Sequence, residues 1–482
     1  MRRSVALAST LVTVTLGVSV AVTAPPAAAA PDITNPQVVA TGLTVPWGLG
    51  FLPDGSALVA ERVSGRVLQL RPGSAPATVA TVDGVTPSGE AGLLGLAVSP
   101  TFAQDRFVYA YLTAAADNRI VRFRLDAPQS QEVILSGLAK ADIHDGGRIA
   151  FGPDGMLYAG VGDAGNTANA QNQQSRNGKI LRMRPDGGVP ASGNPFPGSL
   201  VYSLGHRNVQ GLAWDAQGRL YASEFGQNTW DEVNQIVPGG NYGWPTVEGR
   251  AGDARFRDPI VVWTTAEASP SGAAIDGNTL YVAALRGQRL WSVPLDGTGG
   301  AGTPVALLQG RYGRLRTAER APDGSLWVTT SNRDGRGTPA ADDDRVIRFP
   351  AAGAPTTPPT TTPPTTPPTT PPTGGPTAAC TVRWEVNQWS NGFTANVAVT
   401  NLGAARTGWA VTFTFPGDQR IANAWSATVT QSASQVTARN AGWNGALPTG
   451  ATATFGFQAT YSGTNARPDD FRLDGAACAV TG

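Results

Sequence analysis

Six times between residues 50 and 330 the chain repeats one pattern: a short apolar strand, a tight turn, then a strand alternating apolar and small polar residues. Pro53-Asp54-Gly55 precedes ALVAER, Pro153-Asp154-Gly155 precedes MLYAGV, and Pro322-Asp323-Gly324 precedes SLWVTT. Looser copies lie in SPTFAQDRFVYAYL (99–112), DAQGRLYASEF (215–225) and DGNTLYVAAL (276–285). Asp-Gly pairs flanked by alternating residues favour β-hairpins. The copies recur every roughly 45–60 residues with no long helical period between them, the spacing of a radial β-propeller, which closes on itself and leaves few strand edges. A six-bladed propeller is therefore expected over 31–350. A pair of sandwiches or a seven-bladed ring would satisfy the same alternation less well.

The alternation breaks over a stretch from Gly353 to about Thr377 that contains the repeat TTPPTTTPPTTPPTTPP. A tract over 351–378 with nothing apolar to bury and φ fixed at each proline should be an extended spacer of ~3 Å per residue, ~75 Å in all, open to O-glycosylation. Alternation resumes over 379–482 in TANVAVTNLG, WAVTFTFPG and ATATFGFQATYSG. A β-sandwich is expected there.

Composition narrows the setting. Arg2 and Arg3 precede an apolar run from Val5 to about Val22, and Ala28-Ala29-Ala30 supplies small residues for cleavage. Residues 1–30 read as a signal peptide. No later stretch holds ~18 uninterrupted apolar residues, so a secreted, extracellular protein without a membrane span is expected. The formal net charge is +1, which argues against nucleic acid as a partner. The two cysteines, Cys380 and Cys478, most simply form one disulfide in an exported chain. In the chain-entropy model a loop of that size contributes roughly 4–5 kcal/mol. Two cysteines and two histidines in separate regions cannot build the usual four-ligand zinc site.

The densest chemistry lies in 205–245, GHRNVQGLAWDAQGRLYASEFGQNTWDEVNQIVPGGNYGWP. It combines His206-Arg207-Asn208, a carbonyl-rich turn at Gly226 and Gln227, the Asp231-Glu232 pair and the Asn241-Tyr242-Gly243-Trp244 loop. Cations, acceptors and backbone oxygens this close together suit an anionic cofactor with a calcium ion rather than a core. His144, in ADIHDGGRIAFGPDG just before the third hairpin, faces the funnel mouth if the fold is a propeller and is placed to act as a base. A histidine capping a turn is the competing role. Arg314 and Arg316 alternate in YGRLR, Arg286 ends another blade strand, and Glu90 in GEAGLLGLA occupies the same edge of its own blade. With Arg207 these arginines converge on a site for a polycarboxylate.

GEAGLLGLAVSPTF, IHDGGRIAFGPDG, NGKILRMRPDG, GHRNVQGLAWD, NYGWP and GRLR, in this order over about 36–350, resemble the soluble PQQ-dependent sugar dehydrogenases, the glucose/sorbosone dehydrogenase family. The resemblance implies a six-bladed propeller holding pyrroloquinoline quinone (PQQ) and calcium. It implies His144 as the base for the anomeric hydroxyl, with the C1 hydride passing to the quinone. It puts Arg207 and Asn208 at the quinone oxygens and Arg286, Arg314 and Arg316 at the cofactor carboxylates. The carbonyls of Gly226 and Gln227 would hold the active-site calcium, and Glu232 with the Tyr242 carbonyl a second, structural one. Three departures from the family stand out. Glu90 replaces a frequent glutamine and adds negative charge beside the catalytic groups. Ile143 stands where some members have an acid, leaving the base without that partner. Arg286 replaces a lysine.

CTVRWEVNQWSNGFTANVAVTN, GWAVTFTFPGDQRIANAWSA and NAGWNGALPTGATATFGFQATYSG, closed by Cys478, resemble the bacterial family 2 carbohydrate-binding module. The resemblance implies that Trp389, Trp425 and Trp443, placed in loops, form a strip that stacks on cellulose at about 2.5 kcal/mol per ring before entropic losses. Trp384 and Trp409 are expected in the core. The combined expectation is a secreted dehydrogenase tethered to cellulose. It would oxidise mono- or oligosaccharides at C1 to lactones and pass electrons to an acceptor that no residue identifies. The alternatives are a calcium-dependent propeller hydrolase or lactonase using Glu90, Asp145 or Glu224, and a wall-binding scaffold without chemistry.

Overall fold

In each Pro-Asp-Gly turn the aspartate side chain takes the amide two residues on. Asp54 Oδ1 accepts from Ser56, Asp154 Oδ1 from Met156 and Asp323 Oδ1 from Ser325, at 2.9, 3.1 and 2.9 Å. The following glycines adopt φ of +80°, +72° and +81°, a region that costs other residues a steric penalty. The structure is a computed structural model. It describes residues 30–352 and 379–481 apart from 390, 426, 442, 443 and 464, so the leader and most of the Pro/Thr spacer lie outside the described residues.

All six repeats become the turn between the first and second strands of a four-stranded antiparallel sheet. The first strands of the six sheets are Pro46–Phe51, Leu93–Val98, Ile149–Phe151, Val209–Trp214, Pro270–Asp276 and Leu315–Arg320. The sixth sheet is completed from the other end of the ring: Gln37–Ala40 pairs antiparallel with Val346–Phe349. A strand from the N-terminal side thus covers the edge that the last blade would leave open. The expected six-bladed propeller is what forms. Helix is confined to two four-residue turns among the described residues, Phe102–Asp105 and Ala168–Gln171.

The apolar core is a ring of seams rather than one centre. Six buried clusters each join neighbouring blades, for example Tyr109, Tyr111 and Ile120 of the second blade with Leu157, Val161 and Leu181 of the third. Near the axis the first strands come too close for side chains. A Cβ at Gly48 would sit 2.5 Å from the Leu94 oxygen, and one at Gly95 2.3 Å from the Gly147 oxygen. This is the packing reason for glycine inside strands that otherwise read as apolar.

The described residues form two units, the ring and a second one over 379–481. In the second, nine strands run in the order 420–425, 452–460, 392–401, 380–389, 476–481, 472–473, 410–414, 435–440, 427–432. The sheet folds over one core in which Val382, Phe393 and Phe457 meet Val411, Phe413 and Val436. Trp384 and Trp409 belong to that core as expected. Trp384 packs on Phe413, Phe457 and Phe471, and the Trp409 indole donates to the Asn444 carbonyl at 2.8 Å. Cys380 and Cys478 form the disulfide, joining two strands that pair in parallel. The bond closes 98 residues of chain, so it stabilises the sandwich chiefly by restricting its unfolded state.

Candidate active site

Hairpin geometry decides which side chains meet. The residue before a blade's first strand and the residue after its second lie at the same end, as the pairs Val209 with Glu224 and Pro46 with Glu61 demonstrate. Glu90, His144, Arg207 and Arg314 precede first strands, whereas Arg62, Asp163, Phe225, Arg286 and Asp334 follow second strands. All nine therefore gather on one mouth of the ring.

His144 is held in an unusual backbone conformation, φ +60°, which costs a non-glycine residue roughly 1 kcal/mol. Its Nδ1 lies 2.7 Å from Asp163 Oδ1, and Asp163 is fully buried. Asp163 also accepts the Gly165 amide at 2.8 Å and the Trp244 indole N–H at 2.8 Å. Burial pushes the Asp163 carboxyl up, but the His144 contact and these two donors outweigh it and hold it below the ordinary carboxylate value. An ionised Asp163 makes Nδ1 the protonated nitrogen and leaves the Nε2 lone pair free, the tautomer a base requires. Ile143 supplies no acid at the preceding position, as expected, and the structure provides an acidic partner from elsewhere: Asp163, across the hairpin. Asp163 was missed although it stands in GVGDAG two residues past the second strand of the same blade, Leu157–Val161, at the end that faces His144.

Beside this pair lies a cavity of about 350 Å³ lined by Arg62, Arg286, Arg314, Arg316, Arg336, Glu90, Phe225 and Asp334. Five guanidinium groups face two carboxylates there, an excess of three positive charges. Arg314 grips Asp334 through Nε and Nη2 at 3.0 and 2.9 Å. Arg316 donates to Gln210 Oε1 at 2.8 Å and lies over the Trp47 ring at 5.6 Å. Burial pulls Arg316 down to about 9 and lowers Arg62 and Arg207 as well, yet all remain cations at neutral pH. The Nε atoms of Arg62, Arg207 and Arg316 are buried with no acceptor. Each such orphan costs roughly 1–3 kcal/mol unless a ligand meets it. Arg286, exposed at the cavity mouth, has no acceptor among the described residues.

Arg207 donates to the Phe225 carbonyl at 3.2 Å and stacks over Trp244 at 5.4 Å. Asn208 is fully buried, accepts the Gly146 amide at 3.0 Å and reaches Glu90 at 3.4 Å. Glu90 Oε2 also takes the His144 amide at 3.2 Å, while Oε1 pairs with Arg336 at 3.2 Å. Arg336 thus offsets the charge that glutamate adds at this position. His206 stays out of the chemistry: it is buried between Ser203 and Glu224 and stacks on Tyr242.

The turn at 226–230 is cinched by two carboxylates. Asp231 takes the Gly226 amide, and Glu248 Oε1 takes the amides of Gln227, Asn228, Thr229 and Trp230 at 2.8 to 3.1 Å. In a planar trans peptide the carbonyl opposes the amide hydrogen, so the Gly226 and Gln227 oxygens point away from Glu248. Below them, Glu232 is buried against Asn234 at 3.0 Å and the Gly249 amide at 2.6 Å. Burial, reinforced by the Glu224 charge, holds Glu232 well above the usual carboxylate range. Asn234 Oδ1 is buried there without a donor. Two acids and an unmet amide oxygen are an oxygen-rich pocket of the kind a hard cation fills. No three His, Cys, Asp or Glu side chains are placed to bind a metal among the described residues, so such an ion needs backbone and amide oxygens as well.

Of the aromatic strip, Trp389 and Trp425 are the last residues of strands Cys380–Trp389 and Arg420–Trp425 rather than loop residues, and their side chains fall outside what is described. Trp443 lies outside the described residues.

Residues 43–339 match the model of the glucose/sorbosone dehydrogenase family, and 380–478 match a cellulose binding domain. Quinoprotein glucose dehydrogenase B of Acinetobacter calcoaceticus is 32% identical over 258 residues, 46% of this chain and 54% of that protein. The PQQ-bound structure of aldose sugar dehydrogenase from Streptomyces coelicolor is 52% identical and covers 66% of this chain and 99% of its own, with a TM-score of 0.63. Exoglucanase A of Cellulomonas fimi is 44% identical over 102 residues, 21% of this chain and 12% of that enzyme.

Asp163→Asn leaves the packing in place but removes the charge that selects the histidine tautomer. Dehydrogenase turnover is expected to fall by roughly 10²–10⁴-fold with KM little changed. Steady-state kinetics giving wild-type kcat would contradict the assignment of Asp163.

Proposed function

Since the chain belongs to the glucose/sorbosone dehydrogenase family, we propose that its propeller oxidises the C1 hydroxyl of aldoses or oligosaccharide reducing ends to lactones, using PQQ and calcium. The observation that carries this reading is the set of buried guanidinium groups with unmet N–H donors around the cavity beside His144 and Asp163. A small aromatic tricarboxylate matches both the excess of three charges and the room of about 350 Å³.

Arg62, Arg286, Arg314 and Arg316 would hold the cofactor's carboxylates, and Arg207 with Asn208 its quinone oxygens. When bound, PQQ supplies a two-electron acceptor for the hydride. His144 Nε2 takes the proton of the anomeric hydroxyl, and Asp163 stabilises the imidazolium that results. Glu90, fixed by the His144 amide and Arg336, is positioned to accept a hydrogen bond from a neighbouring sugar hydroxyl. The Gly226 and Gln227 carbonyls would bind a calcium ion at the site. Glu232, Asn234 and the Tyr242 carbonyl would bind the structural one. Electrons then leave to an external acceptor.

The C-terminal module would fix the enzyme to cellulose through Trp389, Trp425 and Trp443, outside the cell, raising its concentration where sugars are released. Purified full-length protein supplied with PQQ and calcium should reduce a redox dye with aldoses and release the C1 lactone. His144→Ala should abolish turnover yet leave cellulose retention unchanged. Absence of sugar oxidation with the whole aldose panel would sink the proposal.

Calcium should be linked to protons. A carboxyl held above its ordinary value binds more protons in the folded than in the unfolded chain, so without calcium Glu232 lowers stability as pH rises from the carboxylate range toward neutrality. A cation favours the ionised form and reverses this. The rise in Tm on adding calcium should therefore grow between pH 5 and pH 8, and Glu232→Gln should flatten it. A shift that is constant across that range would refute the linkage.

A further inference from the structure

Lys179 is one of only two lysines in a chain that otherwise takes its cations from arginine. It opens strand Lys179–Met183, is fully buried, and donates to three main-chain carbonyls: Asn169 at 2.6 Å, Ala170 at 2.9 Å and Asn177 at 3.0 Å. No carboxylate pairs with it among the described residues; burial alone pulls it down to about 8, so it stays charged at neutral pH. An ammonium surrounded by carbonyl oxygens without a counter-ion occupies the role that loops elsewhere give a bound metal ion. The choice of lysine is informative, because three donors on one atom fit three converging carbonyls and a planar guanidinium does not.

Two of the three carbonyls belong to residues whose side chains grip the main chain around Asp163. Asn169 Nδ2 donates to the Asp163 carbonyl at 3.0 Å, and Asn177 Nδ2 donates to Gly162 at 3.0 Å. Ala170 O also accepts the Gly205 amide at 3.0 Å, two residues before Arg207. Asp163 in turn donates its own amide to the Arg207 carbonyl at 2.9 Å. Withdrawing the ammonium leaves the Asn177 carbonyl without a donor among the described residues, leaves the Asn169 and Ala170 carbonyls only the Asn172 and Gly205 amides, and loosens the segment that aims the carboxylate.

We propose that Lys179 is a positioning residue, a cation built into the chain that shapes the 163–178 loop so that Asp163 meets His144. The consequence for function rests on His144 being the base; the loop's dependence on Lys179 does not. The test uses the full-length holoenzyme and the variants Lys179→Met and Lys179→Ala, with hydrogen exchange at the Gly165 amide, which donates to Asp163, as a readout separate from activity. Lys179→Met should speed that exchange and lower kcat by roughly 10–100-fold, with KM for sugar changing less than about two-fold. In Lys179→Ala, prepared with n-propylammonium, the small amine should refill the cage and recover both kcat and slow exchange, whereas sodium should not. A fall in Tm with exchange and kcat unchanged, or no recovery with the amine, would overturn the proposal. Should His144→Ala keep its turnover, the base reading fails by itself, and the exchange measurement still decides on Lys179.

Discussion

Guanidinium groups buried without enough acceptors dominate the upper face of the propeller. Arg62, Arg207 and Arg316 come from three blades, and each leaves Nε unmet inside the protein. Asp334 and Glu90 answer part of the charge and no more. A fold tolerates such a deficit only where its scaffold is rigid enough to hold like charges together, and the closed ring of six inter-blade seams provides that rigidity. The site's demand for an anion and the stability of the ring are thus two sides of one arrangement.

Function follows from where the chain reverses. Each blade reaches the mouth with the chain entering its first strand and the chain leaving its second, and the nine site residues come from these positions. Base and orienting acid can therefore come from a single hairpin, as His144 and Asp163 do, while the cofactor's cations come from several. The left-handed His144 and the buried Asp163 both carry local cost, and Gly162 leaves the room they need, since a Cβ there would collide with the His144 carbonyl. Lys179 extends the same logic one layer outward by tying three carbonyls of the loop after Asp163 to the start of its own strand.

Much of this was legible in the chain. The Pro-Asp-Gly turns and the alternating strands led directly to six blades, because an Asx turn and a period of two are local properties. His144, Arg207, Arg314 and Arg316 stood out by chemistry and position. Asp163, Arg62 and Asp334 did not, although each follows a second strand. Pairing across a hairpin depends on register, and nothing in the residues beside Ile143 shows that an acid 19 positions beyond His144 folds back to it. The Glu90–Arg336 pair was hidden for the same reason, since its partners lie in different blades. Lys179 looked like part of a motif and proved to be a buried cation. Its meaning depends on three carbonyls that no side-chain pattern encodes.

The central claim is that the arginine cavity is made for a small polyanion. Titrating the full-length protein, freed of cofactor, with PQQ in calcium-containing buffer tests it most directly. The account predicts saturable one-to-one binding that weakens as salt rises and weakens sharply in Arg316→Met. Binding that is absent, or indifferent to both salt and Arg316, would contradict it.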